Sequence, residues 1–385
     1  MNSRERISER AQAGLASRAT KGWVRRLVSR PASHGWLDLA SNDYLQLSKD
    51  PAVLAAAVAA TDKWGASAAA SPLITGYTEL HADLEQALAS WHGYPHGLIW
   101  NSGYTANSAA LSVLPKKGDA VLADRLIHAS LITGILRSGA RLRRFPHNDL
   151  TALRSMLIEE SQRDRAVFVV TESVFSMDGD GPDLQLLSRM RDEFEFFWVL
   201  DEAHAVGWFG ETGAGALEAQ RCPGKPDLLV GTLGKALGSQ GAYTLFRDGA
   251  LREWLLNEAG EFVYSTYLAP AAAGAALAAV QRARALAPER PALHRLSLMW
   301  RAAIKGIGLA VPDGESPIIP VPLGSVERTM AVQRALLQHG FRVSSIRPPT
   351  VPEGGARLRI SLHRGLTDAH RDAFITALRE ALRCA

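Results

Sequence analysis

A chain of 385 residues exceeds the roughly 250–300 that one hydrophobic core usually serves, so a large unit with a smaller companion is expected. Two cysteines, Cys222 and Cys384, exclude a disulfide framework and suit a reducing cytoplasmic setting, and the apolar run 269–280, broken by Pro270 and Gly274, falls short of the roughly 20 residues that span a bilayer. The net charge of +4 sits in the first 30 residues, which carry +6, so the remaining body is −2 and is no surface for nucleic acid.

Taken from the N-terminus, Arg4, Arg6, Arg10, Arg18, Lys21, Arg25, Arg26 and Arg30 face only Glu5 and Glu9. The segment lacks the apolar stretch of a secretion signal, and its two glutamates argue against a mitochondrial presequence. An amphipathic helix packed on the body is the expectation. Leu80, Leu84, Leu88 and Trp91 then mark one face of a helix. From residue 97 to 246 strand patterns at 97–101, 120–124, 141–145, 166–171, 196–201, 227–231 and 242–246 alternate with helical ones at 107–114, 128–138, 149–160 and 183–194. That alternation predicts an α/β fold with a mostly parallel central sheet, and the unbroken apolar runs Phe168-Val169-Val170 and Phe197-Trp198-Val199-Leu200 fit strands buried on both faces. An alanine-rich helix at 269–285 joins this unit to a proline-punctuated remainder that reads as small α+β, with strands at 318–321, 341–346 and 357–362 and helices at 326–338 and 367–382. The expected division is a basic helical segment 1–45, a large unit 46–285 and a small unit 286–385.

The chemistry-bearing residues cluster at predicted strand ends. Asp201-Glu202-Ala203-His204 closes a buried strand, where open α/β sheets bind ligands. The same tetrad occurs in a class of nucleic-acid-dependent ATPases, but the only glycine–lysine loop, Gly231-Thr232-Leu233-Gly234-Lys235-Ala236, has the wrong spacing for a phosphate loop and lies downstream. Its glycines leave Lys235 unobstructed near Thr232. Asn101-Ser102-Gly103-Tyr104 is a strand-to-helix turn whose free amides suit a phosphate, and His128 opens another helix as either a structural or a ligand-contacting histidine. His92 and His96 have zinc-pair spacing, but Gly93 and Pro95 forbid the helix such a pair needs, so no metal site is expected. Arg347 precedes the stiff run Pro348-Pro349-Thr350-Val351-Pro352, and Arg357 and Arg359 lie on the next strand, either as outward arginines or as a carboxylate clamp.

Together these motifs resemble the α-oxoamine synthases, a family of fold-type I pyridoxal-phosphate enzymes. The likeness runs from about Leu39 onward. It includes Ser41-Asn42-Asp43-Tyr44-Leu45, Gly76 with His81 and Glu85, Ser102-Gly103-Tyr104 with Ala106-Asn107, Asp124 with His128-Ala129-Ser130, the run from Glu172 to Asp180, the Asp201–His204 tetrad and Thr232 with Gly234-Lys235. The loop Ser345–Pro352 resembles the branch that joins L-alanine to a pimeloyl thioester with loss of carbon dioxide.

The resemblance implies roles residue by residue. Lys235 forms the covalent link to the cofactor aldehyde, and Asp201 pairs with the ring nitrogen. His128 stacks on the ring, His204 binds its hydroxyl, and Ser176 lies beside it. Gly103, Tyr104 and Thr232 hold the phosphate, with Ser265 and Thr266 reaching the phosphate of a second subunit, which implies a homodimer with shared sites. Arg359 takes the amino-acid carboxylate, while Arg25, Arg347 and Thr350 meet the acyl substrate, delivered by coenzyme A or by an acyl carrier protein that the basic N-terminus attracts. Two departures stand out: Gly65-Ala66-Ser67-Ala68-Ala69-Ala70 replaces a glycine-rich run, which restricts that loop's backbone, and Ala214 replaces an arginine.

Overall fold

The computed structural model describes residues 2–33 and 35–385. Its strands, in chain order, are β1 (Leu37–Asp38), β2 (His96–Trp100), β3 (Ala120–Asp124), β4 (Arg141–Phe145), β5 (Val167–Glu172), β6 (Phe197–Asp201), β7 (Leu228–Thr232), β8 (Ala242–Phe246), β9 (Ile318–Gly324), β10 (Phe341–Arg342), β11 (Ser344–Ile346) and β12 (Ala356–Ser361). Seven form the central sheet in the order β2-β8-β7-β6-β5-β3-β4, with β8 antiparallel to both neighbours and the rest of the sheet parallel. The mostly parallel sheet read from the alternating pattern is therefore present. Every residue of β3, β7 and β8 is buried. Successive side chains point to opposite faces, so both faces are covered. The edge strand β4 carries Arg141 and Arg144 toward solvent, which blunts it against further pairing.

The helices that matter most for the site begin at the carboxyl ends of these strands. Ser102 caps the helix Gly103–Val113 by accepting from the Thr105 amide, and His128 caps Ala129–Ser138. The two helices pack closely because of Gly134: a Cβ there would lie 2.7 Å from the Ser108 carbonyl oxygen and 2.8 Å from Leu111 Cβ. Their capped ends consequently meet, with the Tyr104 and His128 rings edge to face at 6.3 Å.

The small unit is an antiparallel sheet, β11-β12-β9, backed by the helices Arg290–Lys305, Val326–Gln338 and Asp368–Arg383. Trp300 and Phe341 pack on Phe374 at its centre. The chain before the large unit is tied to the small one: β1 runs parallel to β10, and the Ser361 and Arg364 amides donate to the carbonyls of Leu39 and Tyr44. The strand expected at 341–346 is two short strands broken at Val343, the first pairing with β1 and the second with β12.

The basic segment does form a helix, Ser3–Thr20, started by a capping box between Asn2 and Glu5. It does not pack on the body as expected, for none of its residues is buried. Ile7 and Leu15, its large apolar residues, are eight apart and 64% and 58% exposed, too sparse to make a stripe. In the alanine-rich loop, Ala69 adopts φ +58°, the left-handed conformation that glycine takes without strain. The departure from a glycine-rich run is thus accommodated by backbone strain at one residue.

Candidate functional site

Four strand ends and two helix starts converge. Asp201 is the last residue of β6, and its neighbours in register are Glu172 at the end of β5 and Val230 of β7. The Asp201 carboxylate is fixed on both oxygens. Oδ2 accepts from Asn107 Nδ2 at 2.7 Å, and Oδ1 accepts from the Ala203 amide at 2.8 Å. Asn107 also donates to Ser130 Oγ, which in turn is 2.7 Å from His128 Nδ1. Glu172 accepts from the His128 amide at 2.6 Å. Buried beside Asp201, Glu172 is raised well above the usual carboxylate range by desolvation and by that neighbouring negative charge.

Lys235 sits in the turn after β7. Gly238 closes that turn at φ +61°, where a Cβ would lie 2.2 Å from the Ser48 amide, so only glycine lets the turn seat there. Lys235 Nζ is 2.9 Å from His204 Nε2, and His204 Nδ1 is 2.7 Å from Tyr44 Oη. Arg359 extends the chain: Nη2 donates to Tyr44 Oη at 3.3 Å and to Asn42 Oδ1 at 3.0 Å, Nη1 donates to Ser361 Oγ at 2.9 Å, and Nε donates to the Ser176 carbonyl at 2.6 Å. Burial lowers the Lys235 pKa to about 8, with the nearby Arg359 charge acting in the same direction and the Asp201 and Glu172 charges opposing. Burial, with Lys235 and Arg359 nearby, holds His204 neutral well below its ordinary value, and burial likewise depresses His128.

Thr232 ends β7, and its Oγ1 accepts from the Gly234 amide at 3.2 Å. A Cβ on Gly103 would stand 3.8 Å from that same oxygen, so the start of the Gly103 helix faces Thr232. Tyr104 is half exposed, with its hydroxyl 3.0 Å from Thr133 Oγ1. Asn101 Nδ2 donates to Ser265 Oγ and to the Thr266 carbonyl, which places both residues beside the same turn of their own chain. Two segments 325 residues apart also meet: Arg25 Nη2 donates to Thr350 Oγ1 at 2.9 Å, and Arg347 Nη2 donates to the Val24 carbonyl at 2.9 Å. His92, weighed as a zinc ligand, instead lies 2.8 Å from Tyr243 Oη in the core.

Of the residues singled out in the sequence, Lys235, Asp201, His128 and His204 come together, Gly103 faces Thr232, Arg359 joins Ser176 to the Tyr44–His204 pair, Ser265 and Thr266 lie beside Asn101, and Arg25, Thr350 and Arg347 meet where the two ends of the chain cross. Tyr44, Asn107 and Glu172 joined them without having been assigned a part. All three lie inside motifs that carry the resemblance, and a buried polar residue at a strand, helix or loop end was the available signal for a role. A cleft of about 960 Å³ lined by Asp180, Phe209, Arg290 and His294 contains none of Lys235, Asp201 or His204. The chemistry therefore belongs to the strand ends rather than to that cleft.

Residues 34–378 match the family model described as Aminotransferase class I and II. The 8-amino-7-oxononanoate synthase of Trichlorobacter lovleyi is 41% identical over 324 residues, covering 84% of this chain and 82% of that protein. Among solved structures, the serine palmitoyltransferase of S. paucimobilis with bound PLP and myriocin has a TM-score of 0.91 at 26% identity, over 98% of both chains. The 8-amino-7-oxononanoate synthase of Francisella tularensis has a TM-score of 0.78 at 29% identity, over 91% of this chain and 98% of that one.

Proposed function

The chain belongs to the class I and II aminotransferase family, and on that premise we propose that it condenses L-alanine with a pimeloyl thioester, releasing carbon dioxide and the free thiol carrier, to give 8-amino-7-oxononanoate for biotin biosynthesis. The observation that carries this reading is the 41% identity to a synthase of that name over most of both chains. The serine palmitoyltransferase is a close neighbour in fold but only 26% identical.

The residues fit pyridoxal phosphate. Asp201 is a carboxylate pinned by two donors, Asn107 Oδ1 beside it is buried without a partner, and the first-turn amides of the Gly103 helix lack intrahelical acceptors opposite Thr232. When bound, the cofactor supplies an electron sink for negative charge at the α-carbon of the amino acid. Asp201 would pair with the ring nitrogen and keep it protonated, His128, His204 and Ser176 would hold the ring, and Gly103, Tyr104 and Thr232 would hold the phosphate. Lys235 would anchor the cofactor and move the α-proton, a task for which an amine with a pKa of about 8 is suited because an appreciable fraction of it is neutral near physiological pH, whereas an ordinary lysine is almost wholly charged there. Arg359 fixes the alanine carboxylate with a guanidinium held on every nitrogen. Arg25, Thr350 and Arg347 receive the acyl chain where the two ends of the chain meet. Ser265 and Thr266 complete the phosphate site of a second copy in a homodimer. The same reading places the cofactor in the unit 46–285 and puts the protein in the cytoplasm, consistent with two free cysteines.

The test supplies pyridoxal phosphate, pimeloyl-coenzyme A and L-alanine and follows product mass and carbon dioxide. Product of the mass of 8-amino-7-oxononanoate is expected with alanine. Turnover with glycine or serine in its place, and none with alanine, would transfer the assignment to a sister synthase.

A further inference from the structure

The loop from Ser173 to Gly181 leaves β5 and is gripped from two sides. On the large-sheet side His147 bridges two carboxylates: Nδ1 is 3.0 Å from Asp124 Oδ1 at the end of β3, and Nε2 is 3.1 Å from Asp180 Oδ2 in the loop. Asn148 spans the same pair, its amide donating to Asp124 Oδ2 at 2.7 Å and its Nδ2 to Asp180 Oδ2 at 3.2 Å. The His147 ring stands edge to face with Phe175 of the loop, centroids 4.4 Å apart. Burial opposes charge on this ring, but hydrogen bonds and opposite charges from Asp124 and Asp180 outweigh it and raise its pKa to about 10. His147 is therefore a cation at neutral pH, between two groups that would otherwise repel each other.

The small sheet grips the other side. Arg357 Nη1 donates to Asp178 Oδ1 at 2.5 Å, and Arg359 Nε donates to the Ser176 carbonyl at 2.6 Å. A Cβ on Gly179 would lie 2.4 Å from the Ile318 carbonyl oxygen, so the loop lies directly against β9. The loop carries the Ser176 carbonyl, the acceptor that holds Nε of the Arg359 guanidinium while Ser361, Asn42 and Tyr44 hold its other nitrogens. Bidentate capture of a carboxylate requires the guanidinium plane to be fixed.

We infer that His147 is a positioning residue for the amino-acid end of the site: it clamps the loop to the large sheet so that the Ser176 carbonyl sets Arg359. This rests on the reading in which Arg359 receives the alanine carboxylate. His147 has no contact with Lys235, Asp201 or His204, so its effect is on amino-acid capture and not on the chemical step.

The test compares cofactor-loaded wild type, His147→Gln, Arg359→Lys and the double variant. His147→Gln is expected to raise the alanine KM roughly tenfold, the loss of about one charge-assisted hydrogen bond, and to leave kcat and the thioester KM within about twofold. The alanine dissociation constant, read from the cofactor absorbance without thioester, is expected to rise by the same factor. The double variant is expected to match Arg359→Lys alone, because His147 acts through Arg359. A double variant showing the product of the two single effects, an unchanged alanine KM in His147→Gln, or an equal loss in every parameter overturns the inference. An unchanged alanine KM in Arg359→Lys instead overturns the reading beneath it. If His147→Gln does not fold, Asp180→Asn, at a part-exposed carboxylate on the same bridge, carries the same comparison.

Discussion

At the scale of single residues the site is governed by how burial and charge set protonation. Desolvation brings Lys235 to about 8, and Arg359 acts in the same direction. The neutral amine is the form that attacks an aldehyde, and its fraction grows as pH rises through that value. The rate at which the cofactor-free chain takes up pyridoxal phosphate, followed by absorbance, is therefore expected to climb with pH and reach half its plateau near about pH 8. Arg359→Met removes a nearby positive charge and is expected to move that midpoint upward. A rate independent of pH from about 6.5 to 9.5 would contradict this account of Lys235. Lys235, Asp201 and His204 were legible in the sequence because each lies in a short motif at a strand end. Asn107 and Tyr44 stand in recognisable motifs, but their parts were not legible, since their partners lie 94 and 160 residues away and no local pattern announces such a contact.

At the scale of elements the sequence spoke most clearly where a cap coincides with periodicity. The helices expected from residues 149 and 183 begin one residue later, with Asp149 and Asp183 as their capping residues. The helix Pro51–Trp64 was missed although Asp50 and Pro51 form a proper start, because the unbroken apolar run from Ala52 to Ala60 shows no polar face. The N-terminal helix was expected as an amphipathic helix packed on the body; the helix forms, but the docking does not, because docking needs an apolar stripe that Ile7 and Leu15 do not make. Removal of residues 2–20 is accordingly expected to leave the thermal midpoint of unfolding unchanged within about 1 °C, since a buried side chain lost there would cost several degrees. A fall of 5 °C or more, measured by calorimetry and of the order of about 4 kcal/mol for a chain of this length, would mean that the helix is held against the body.

At the scale of the whole molecule, alternation of strands and helices made the parallel sheet legible, whereas the way the two units share one site was not. That sharing comes from β1 pairing with β10, from Tyr44 carried into the site, and from the Ser173–Gly181 loop lying between the two sheets, all products of tertiary packing. Charge is also a whole-molecule property. With +6 on an exposed N-terminal segment and −2 elsewhere, an acidic carrier protein would be drawn to one end of the chain. Reversing Arg4, Arg6 and Arg10 to Glu is expected to raise the KM for a carrier-bound pimeloyl group severalfold at low salt and to leave that for pimeloyl-coenzyme A unaffected. Equal kinetics with the carrier protein would remove it as a partner of this segment. The central claim is that one amine, Lys235, held against His204 and opposite Asp201, anchors the cofactor on which everything else converges. The most direct measurement is borohydride reduction of the loaded protein followed by peptide mass spectrometry. The account predicts the reduced cofactor on the peptide containing Lys235 and none in a Lys235→Ala variant; a label on any other lysine, or one that survives the substitution, would contradict it.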